Sequence, residues 1–425
     1  MRSIHSISRF GAALGVPATW RKAASIAAAI LVLLRAVDAY ADPANLTRQR
    51  VAELVGSAPA TRVAQSEAGV SGAAVTGAGV LSLENPVISG MGGVRFNPDG
   101  TRPFSGVATL SWPVDLGGKR GARADAAKAE HRAATASAQS AERDVLLSAL
   151  LTHALVLRDE RQLAIAEARH AVSERVFLAA QRRRAAGSVP ELDVALASLQ
   201  EKRDASIVVS VAGTRDADKL LLTSVLGLSD SPTVSGSLVP EDTPPTLETL
   251  LKQVDERPDV RAASTALDAA QAKAARERSG RWPTLNVLAQ YERDDGANIG
   301  MIGLAIPLAV LNPNRTEVAT SAAEAEAART RLAQSRTAAS GHVRELYTRY
   351  LATKAAMDSL APTAAVVTQA VNLATRGYEL GEHDLSSVLL VRREAVETQA
   401  ALLEAEHAHA AVKIELLIVA KKIPQ

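Results

Sequence analysis

Residues 119–185 form a run of 67 residues that contains no proline and no glycine after Gly121. At 1.5 Å per residue, a helix over this run would be about 100 Å long. Such a helix cannot bury its apolar side chains in a compact core, so other long helices must lie beside it. The composition agrees, because 47% of the residues are hydrophobic but only 3% are aromatic, which is typical of alanine-rich helices that pack closely.

The chain contains an internal duplication. TLSWPVDLGGKRG around Pro113 aligns with GLAIPLAVLNPNRT around Pro307, and Gly187 in AAGSVPELDV corresponds to Gly381 in ELGEHDLSSV. The interval from Pro113 to Gly187 and the interval from Pro307 to Gly381 are both 74 residues. Matching strings at matching intervals indicate two repeats of one structural unit.

Short segments with strand periodicity precede each long helical pattern. Residues 285–292 alternate in polarity and are followed by the turn DDGAN and a second run, 299–308, which predicts a β-hairpin. A weaker hairpin is predicted from 87–96 and 107–114. One face of the returning strands carries Leu110, Trp112 and Val114 in the first repeat and Leu304, Ile306 and Leu308 in the second. This alternation suits a barrel wall in lipid, and it also occurs in soluble β-sandwiches.

Gly187 and Gly381 are expected to lie where one long ascending helix ends and a descending helix begins. A chain reversal of this kind favours a residue with positive φ, and glycine adopts positive φ most easily. Beyond Gly381, apolar residues recur every seven positions with apolar neighbours on both sides, which indicates a coiled coil with a broad contact face. The residues of this heptad series are Leu389, Val396, Leu403, Ala410 and Leu417. Each repeat is therefore predicted to be a strand hairpin joined to a hairpin of long helices.

The string VDLGGKRG suggests a phosphate-binding loop, but the pattern is incomplete. A GxxxxGK[ST] loop requires a hydroxyl residue where Arg120 lies and a glycine where Pro113 lies. In the second repeat the same position is filled by LNPNR, without the glycine pair. We therefore interpret both strings as elbows between a strand and a helix, with the elbow residues Pro113, Gly117, Gly118, Arg120, Pro307 and Arg315.

The N-terminus predicts a secretory signal peptide over residues 1–41. Basic residues precede the apolar run 23–34, and Ala39-Tyr40-Ala41 supplies a cleavage site before Asp42. The apolar run is shorter than the about 20 residues that a membrane-spanning helix needs. No later segment is long enough either, so contact with the interior of a membrane would require strands closed into a barrel.

Several classes of chemistry are disfavoured by the sequence. Without cysteine there are no disulfides, thiolate metal sites or thiol nucleophiles, and a net charge of +2 without a basic, aromatic-rich block disfavours nucleic acid. No HExxH, GxSxG or GxGxxG pattern is present, so we do not expect an enzyme or a cofactor. The metal-ligand candidates are His383 between Glu382 and Asp384, and His407 and His409 near Glu404 and Glu406. Their spacing does not converge on one ion, so we interpret them as solvated or interhelical residues.

The strings LENPVISG, SWPVDLGGKRGAR, RPDVRAASTALDAA, RWPTLNVLAQY and IPLAVLNPNRTEVATSAAEAEAA resemble the TolC family of outer-membrane efflux proteins, over about residues 84–420. VDLGGKRGAR and IPL…NPNR more closely resemble the branch that serves cobalt, zinc and cadmium efflux. The resemblance implies a mainly α fold with a small β part, in a homotrimer. Its β-hairpins would share an outer-membrane barrel, and its duplicated helical hairpins would form an α-barrel across the periplasm of a Gram-negative bacterium.

The resemblance also implies partners. The helix tips would meet a periplasmic adaptor protein that connects to an RND-type inner-membrane pump, and the strands would contact outer-membrane lipid. The tip residues are Gly187, Ser188, Val189, Gly381, Glu382, His383 and Asp384. Heavy-metal cations are the expected cargo, with drug efflux or type I protein secretion as alternatives. A secreted coiled-coil scaffold without a pore is the alternative from another class, and the repeated strand hairpins argue against it.

The predicted organisation follows the duplication. After the signal peptide come an N-terminal periplasmic segment, the first repeat, a proline- and serine-rich linker and the second repeat, which contains a helix, a β-hairpin and a long helical hairpin. Their ranges are 42–83, 84–228, 229–247 and 248–425.

Overall fold

The computed structural model describes residues 45–294, 296–308 and 313–424. The predicted signal peptide, 1–41, lies outside the described residues. The chain divides into two units, of which the smaller includes residues 45–46 and 232–235. In that unit Leu46 forms an isolated parallel bridge with Val234. All helices and strands described below belong to the larger unit.

The larger unit is mainly helical with a small sheet, as predicted. Its helices are α1 Arg48–Val55, α2 Pro59–Ala78, α3 Lys119–Ala185, α4 Glu191–Leu226, α5 Leu247–Lys252, α6 Pro258–Ser279, α7 Arg315–Leu360, α8 Thr363–Leu380 and α9 Leu385–Val419. Its strands are β1 Val87–Val94, β2 Phe104–Asp115, β3 Thr284–Asp294 and β4 Ala297–Ala305. Helix α3 covers the 67 residues that the proline-free run predicts. No described helix is long and apolar enough to cross a membrane.

The four strands form one antiparallel sheet in the order β1-β2-β3-β4. Both predicted hairpins are present, although their returning strands begin earlier than predicted, at Phe104 and Ala297. The second returning strand also ends earlier, at Ala305, so Ile306 and Leu308 lie beyond it. The central pairing joins the two repeats, with Trp112 of β2 opposite Val287 of β3. The alternation is also visible in the exposure of the side chains, since Trp112 is exposed whereas its neighbour Ser111 is half-buried.

The long helices obtain their burial from each other. Helix α3 packs along α2, α4 and α6, while α9 packs on α7, α8 and α3. One apolar cluster joins α5, α6, α7 and α9 and includes Leu250, Val260, Val343, Leu346 and Leu416. A second cluster lies near the helix tips, where Val176, Ala180, Ala197, Tyr378 and Val388 bring together α3, α4, α8 and α9. The tip cluster therefore ties the helical hairpin of one repeat to that of the other.

The second ascending helix differs from the prediction. The sequence predicts one helix that ends at Gly381, but α7 ends at Leu360 and α8 begins at Thr363. Pro362 lies between them, and a proline has no N–H to donate to the preceding turn and its ring displaces that turn. Pro362 therefore interrupts the second ascending helix locally, and the alignment of the two repeats does not include this residue.

The contact face of α9 stays within the predicted broad face but moves across it along the helix. Near the tip the buried apolar residues include Val388 and Ala395, which flank the heptad positions Leu389 and Val396, themselves half-buried. Further along, the predicted Leu403, Ala410 and Leu417 are buried as expected. An α-helix with 3.6 residues per turn drifts relative to a strict seven-residue repeat, which accounts for the shift.

A buried ion cluster connects three long helices. The carboxylate of Asp204 in α4 accepts from Arg169 of α3 at 2.6 Å and from Arg392 of α9 at 2.7 Å. Arg392 also donates to the carbonyl of Arg169 at 3.1 Å, and Gln200 donates to Asp204 at 3.0 Å. Asp204 is fully buried, and a buried charge requires such partners.

Part of the predicted linker is anchored on the helices. Residues 229–246 form no helix or strand apart from the isolated bridge at Val234. Leu238 is nevertheless fully buried, and Arg48 of α1 donates to its carbonyl at 2.8 Å. The Lys413 ammonium of α9 donates to the carbonyl of Pro240 at 2.6 Å. Residues 238–240 are therefore held against the helices although they form no helix or strand.

A second buried carboxylate, Asp159 of α3, is less well compensated. Arg158 pairs with its Oδ1 at 2.6 Å, whereas its Oδ2 has no hydrogen-bond partner among the residues the structure describes. Burial, followed by the neighbouring carboxyl of Asp218 in α4, raises the pKa of Asp159 to about 6 despite Arg158. The folded state therefore binds the proton of the Asp159 carboxyl more tightly than the unfolded chain does. The stability that this protonated carboxyl contributes is lost as the pH rises through about 6.

We predict that Asp159→Asn stabilises the protein at pH 8, because the amide stays neutral where the buried carboxylate is charged. The expected gain in unfolding free energy is on the order of 1–3 kcal/mol, since each pH unit between folded and unfolded pKa values corresponds to about 1.4 kcal/mol. The gain should shrink as the pH falls from 6 towards 4. Apparent melting temperatures across this range test it, with Asp216→Asn, an exposed carboxylate paired with Arg215, as the control. Identical pH profiles for wild type and Asp159→Asn would contradict the assignment.

Candidate functional site: helix tips and strand-to-helix elbows

The first tip, residues 186–190, reverses the chain between α3 and α4. Gly187 adopts φ 73°, and its N–H donates to the carbonyl of Arg184 at 2.9 Å. The Ser188 N–H donates to the carbonyl of Arg183 at 2.9 Å. These bonds satisfy carbonyls that the end of α3 leaves open. Val189 is buried against the helices, while Ser188 is exposed and Pro190 caps α4.

The second tip, residues 381–384, repeats this reversal between α8 and α9. Gly381 adopts φ 86°, and its N–H donates to the carbonyl of Tyr378 at 3.1 Å. The Glu382 N–H donates to the carbonyl of Gly377 at 2.8 Å. Asp384 caps α9 by accepting from the N–H of Ser387 at 3.0 Å and from the hydroxyl of Ser386 at 2.8 Å. These hydrogen bonds to the carboxylate lower the pKa of Asp384 to about 2.

Arg183 joins the two tips. Its Nη1 donates to the carbonyl of Tyr378 at 3.0 Å and to that of His383 at 3.4 Å, and its guanidinium lies 4.8 Å from the centre of the Tyr378 ring. Tyr378 is fully buried, and this burial raises the pKa of its phenol. Neither residue is among the predicted site residues. The basic run QRRRA before Gly187 is the only sequence signal for Arg183, and it does not reveal which arginine turns towards the other tip.

His383 lies against α8. A Cβ at Gly377 would overlap the His383 ring, so this contact requires glycine at 377. Of the other two histidines considered as metal ligands, His409 is buried, stacks on Tyr350 at 5.2 Å and contacts Thr353, whereas His407 is half-buried near Arg158 and Glu404. Burial lowers the pKa of both. No group of three or more potential metal ligands occurs among the described residues.

The first elbow requires glycine for two reasons. Gly117 and Gly118 have φ of 68° and 75°, and Gly118 precedes the first residue of α3. A Cβ at Gly117 would also overlap the Trp282 ring, which comes from the chain entering β3. The elbow therefore needs both positive φ and close approach of the backbone to an aromatic ring. Pro113, also predicted here, is buried within β2.

The second elbow uses an asparagine where the first uses a glycine. Asn314 adopts φ 58° immediately before Arg315, the first residue of α7, and its amide donates to the carbonyl of Glu277 at 2.8 Å. Asparagine is one of the few residues with a side chain that tolerate the left-handed region. The alignment of GGKRG with LNPNR locates this elbow, but Asn314 itself is not among the predicted residues. Pro307 is exposed just after β4, and residues 309–312 lie outside the described residues.

Arg123 does more at the first elbow than the predicted Arg120. Arg120 donates to the carbonyl of Gly79 at 2.8 Å. Arg123 donates to the carbonyl of Ala78 at 3.0 Å and of Val80 at 2.7 Å, and pairs with Asp115 at 3.0 Å. It thereby connects the end of α2, the end of β2 and the start of α3. Arg123 lies one turn into α3, and nothing in the sequence around it indicates that it makes these contacts.

Two repeats, each with a glycine reversal at one end of its helix pair and a strand-to-helix elbow at the other, define a class of duplicated helical-hairpin proteins with one small shared sheet. The sequence profile of the outer membrane efflux protein family matches residues 88–228 and 251–417, which fall in the two predicted repeats. The chain therefore belongs to the outer membrane efflux protein family. The predicted family, outer-membrane location and efflux function are confirmed, and proteins of this family are channels and not enzymes.

Similar proteins agree with this assignment. The chain is 27% identical over 292 residues to the cobalt-zinc-cadmium resistance protein CzcC of Cupriavidus metallidurans, covering 67% of this chain and 70% of that protein. Its fold is similar to the CmeC outer membrane channel of Campylobacter jejuni, with a TM-score of 0.73, 15% identity and coverage of 88% and 85%. The outer membrane protein VceC of Vibrio cholerae has a TM-score of 0.70, 18% identity and coverage of 88% and 95%.

Replacing Gly381 by valine is expected to strain the second tip and leave the remaining fold intact. A β-branched side chain in the left-handed region costs about 1–2 kcal/mol, so amides 381–387 should exchange hydrogen about 5- to 30-fold faster at an unchanged melting temperature. Gly213→Val is the control, because Gly213 lies within α4, without positive φ and without neighbours within 4 Å. Unchanged exchange at 381–387 would show that the tip does not depend on this glycine.

Proposed function

We propose that this chain is the outer-membrane channel of a tripartite efflux system that exports heavy-metal cations. The observation that carries the proposal is the similarity to the cobalt-zinc-cadmium resistance protein CzcC, within a family match that spans both repeats. The chain acts as a passive conduit and catalyses no reaction. Its selectivity for cations then comes largely from the pump that loads it.

We propose that the channel is a homotrimer. The sheet has four strands, and β1 and β4 pair only on one side within the described residues. Four strands cannot close a barrel, because the smallest membrane barrels use eight, and free sheet edges favour pairing with further strands. Apolar side chains on the strands are exposed, with Ile302 87% and Leu304 67% accessible. This pattern supports strands that pair with other copies of the chain and face lipid.

The helices also expose apolar residues that suit contacts between copies. Large apolar side chains are exposed on α4, α8 and α9, namely Leu199, Val209, Leu220, Val366, Leu373 and Leu390. Exposed apolar surface of this extent favours burial in an assembly. Neighbouring helical hairpins of a trimer would supply that burial.

We propose that the two tips bind the periplasmic adaptor, which links the channel to an RND-type pump. Ser188, Gly381 and Glu382 are exposed at the ends of the helical hairpins. The hydrogen bonds of Arg183 hold the two tips in a fixed arrangement, so a partner would meet a preorganised surface. Gly187, Val189, His383 and Asp384 then act by shaping this surface.

The first prediction concerns processing, location and assembly of the protein in the cell. We expect the mature chain to begin near Asp42, to fractionate with the outer membrane and to migrate as a trimer that heating converts to monomer. Fractionation, mass spectrometry of the N-terminus and gel mobility before and after heating test this. Recovery as a soluble monomer with an intact N-terminus would contradict both the location and the trimer.

The cargo prediction concerns the phenotype of a deletion. Loss of the gene should lower resistance to zinc, cobalt or cadmium more than resistance to dyes and detergents. Complementation with wild type should restore resistance, while Gly381→Val should assemble as a trimer, cross-link weakly to the adaptor and restore little. The opposite ranking of metals and dyes would favour the drug-efflux alternative and leave the channel assignment intact.

A further inference from the structure

A cavity of about 400 Å³ lies between α3, α8 and α9, all from one chain. Its apolar lining includes Ile165, Val172, Val371 and Val396, and its neutral polar lining is Thr368, Asn372 and Gln399. A volume of 300–1,000 Å³ with mostly apolar walls and a few polar groups is usual for small-molecule sites. The cavity is separate from the tips and the elbows.

The charge of the cavity is positive. Its charged lining residues are Arg169 and Arg392. Both arginines pair with the single carboxylate of Asp204, and neither has another carboxylate within 4.0 Å in the part of the chain that the structure describes. Two cations that share one anion leave one positive charge without a partner, beside walls of low polarity where that charge acts strongly.

The two arginines differ in accessibility. Arg392 is only 6% exposed, and its Nη1 has no hydrogen-bond partner among the described residues. Arg169 lines the cavity with a side chain that is 21% exposed, compared with 7% for the side chain of Arg392. Arg169 is therefore the group that can contact a ligand, while Arg392 adds positive potential behind it.

We propose that this cavity binds a small amphipathic monoanion, with its carboxylate or sulfonate at Arg169 and its apolar body against Ile165, Val371 and Val396. Charge-assisted bonds between guanidinium and an oxyanion are the strong ones in proteins. The positive lining excludes cations, so the occupant is not the metal cargo proposed above. A bound ligand bridges α3, α8 and α9 and stabilises their packing, because it binds the folded state and not the unfolded chain.

The test uses the purified full-length channel in non-ionic detergent and three probes that share one apolar body. These are 4-ethylbenzoate, 4-ethylbenzyl alcohol and 4-ethylbenzylammonium, each titrated calorimetrically against protein and against detergent alone. We expect saturable binding of 4-ethylbenzoate with one site per chain and a rise in melting temperature. The alcohol should bind at least about tenfold more weakly, the loss expected for one charge-assisted hydrogen bond, and the ammonium should not bind.

Two variants assign the binding to this cavity. Arg169→Gln should weaken 4-ethylbenzoate binding at least about tenfold. Val371→Trp should weaken it by at least as much, because the larger ring occupies the part of the cavity where the apolar body is placed while every charge is kept. Arg175→Gln is the control, because Arg175 lies on α3 in an exposed pair with Glu379. If Arg169→Gln fails to assemble, the binding affinity of Val371→Trp and the ranking of the three probes still test whether the anion binds in this cavity.

Three results would overturn the proposal. Absence of saturable 4-ethylbenzoate binding would show that the cavity is not a site. Equal affinity for the alcohol would show an apolar cavity without anion selectivity. An affinity for 4-ethylbenzoate that Val371→Trp leaves unchanged would place the anion elsewhere. None of these results bears on the efflux function, because resistance and assembly are measured separately.

Discussion

The fold depends on the length of α3, which must be covered by other helices along its whole course. Its buried positions are filled mainly by small residues, such as Ala126, Ala129, Ala149 and Ala154, which let neighbouring backbones approach closely. Helices α2, α4, α6 and α9 supply the cover in turn. A duplicated chain suits this requirement, because the second repeat provides long partners for the first. The sheet and the tips are placed by where these long helices begin and end.

Buried charges connect the long helices at specific points. Asp204 of α4 pairs with Arg169 of α3 and Arg392 of α9, so these three helices must be aligned for the buried carboxylate to have its partners. Arg183 has the corresponding role at the tips, where it binds carbonyls of the other hairpin. Charge compensation is incomplete at two places: Asp159 is left with a raised pKa, and the cavity beside Arg169 is left positive. A functional hypothesis about the helices therefore begins with these groups.

The two repeats meet the same backbone requirement with different residues. Each long helix that follows a strand begins after a residue with positive φ, which is Gly118 in the first repeat and Asn314 in the second. The first elbow also receives the Trp282 ring, so only glycine fits at 117, whereas Asn314 uses its side chain to bind Glu277. The tips keep glycine in both repeats, but only the second packs a histidine on a second glycine, Gly377.

Local sequence patterns were enough to predict the extent of α3, both strand hairpins, the glycine reversals at 187 and 381, and the family. These follow from helix breakers, alternation and repeat spacing, which act over a few residues or recur at a fixed interval. The tertiary structure alone decided which charged residues meet, because Arg183 and Tyr378, or Arg169, Asp204 and Arg392, lie far apart in the chain. It also decided that Arg123 and Asn314 act at the elbows and that the face of α9 drifts from its heptads. Such contacts depend on how long helices align, and that alignment is set by the burial of all their partners together.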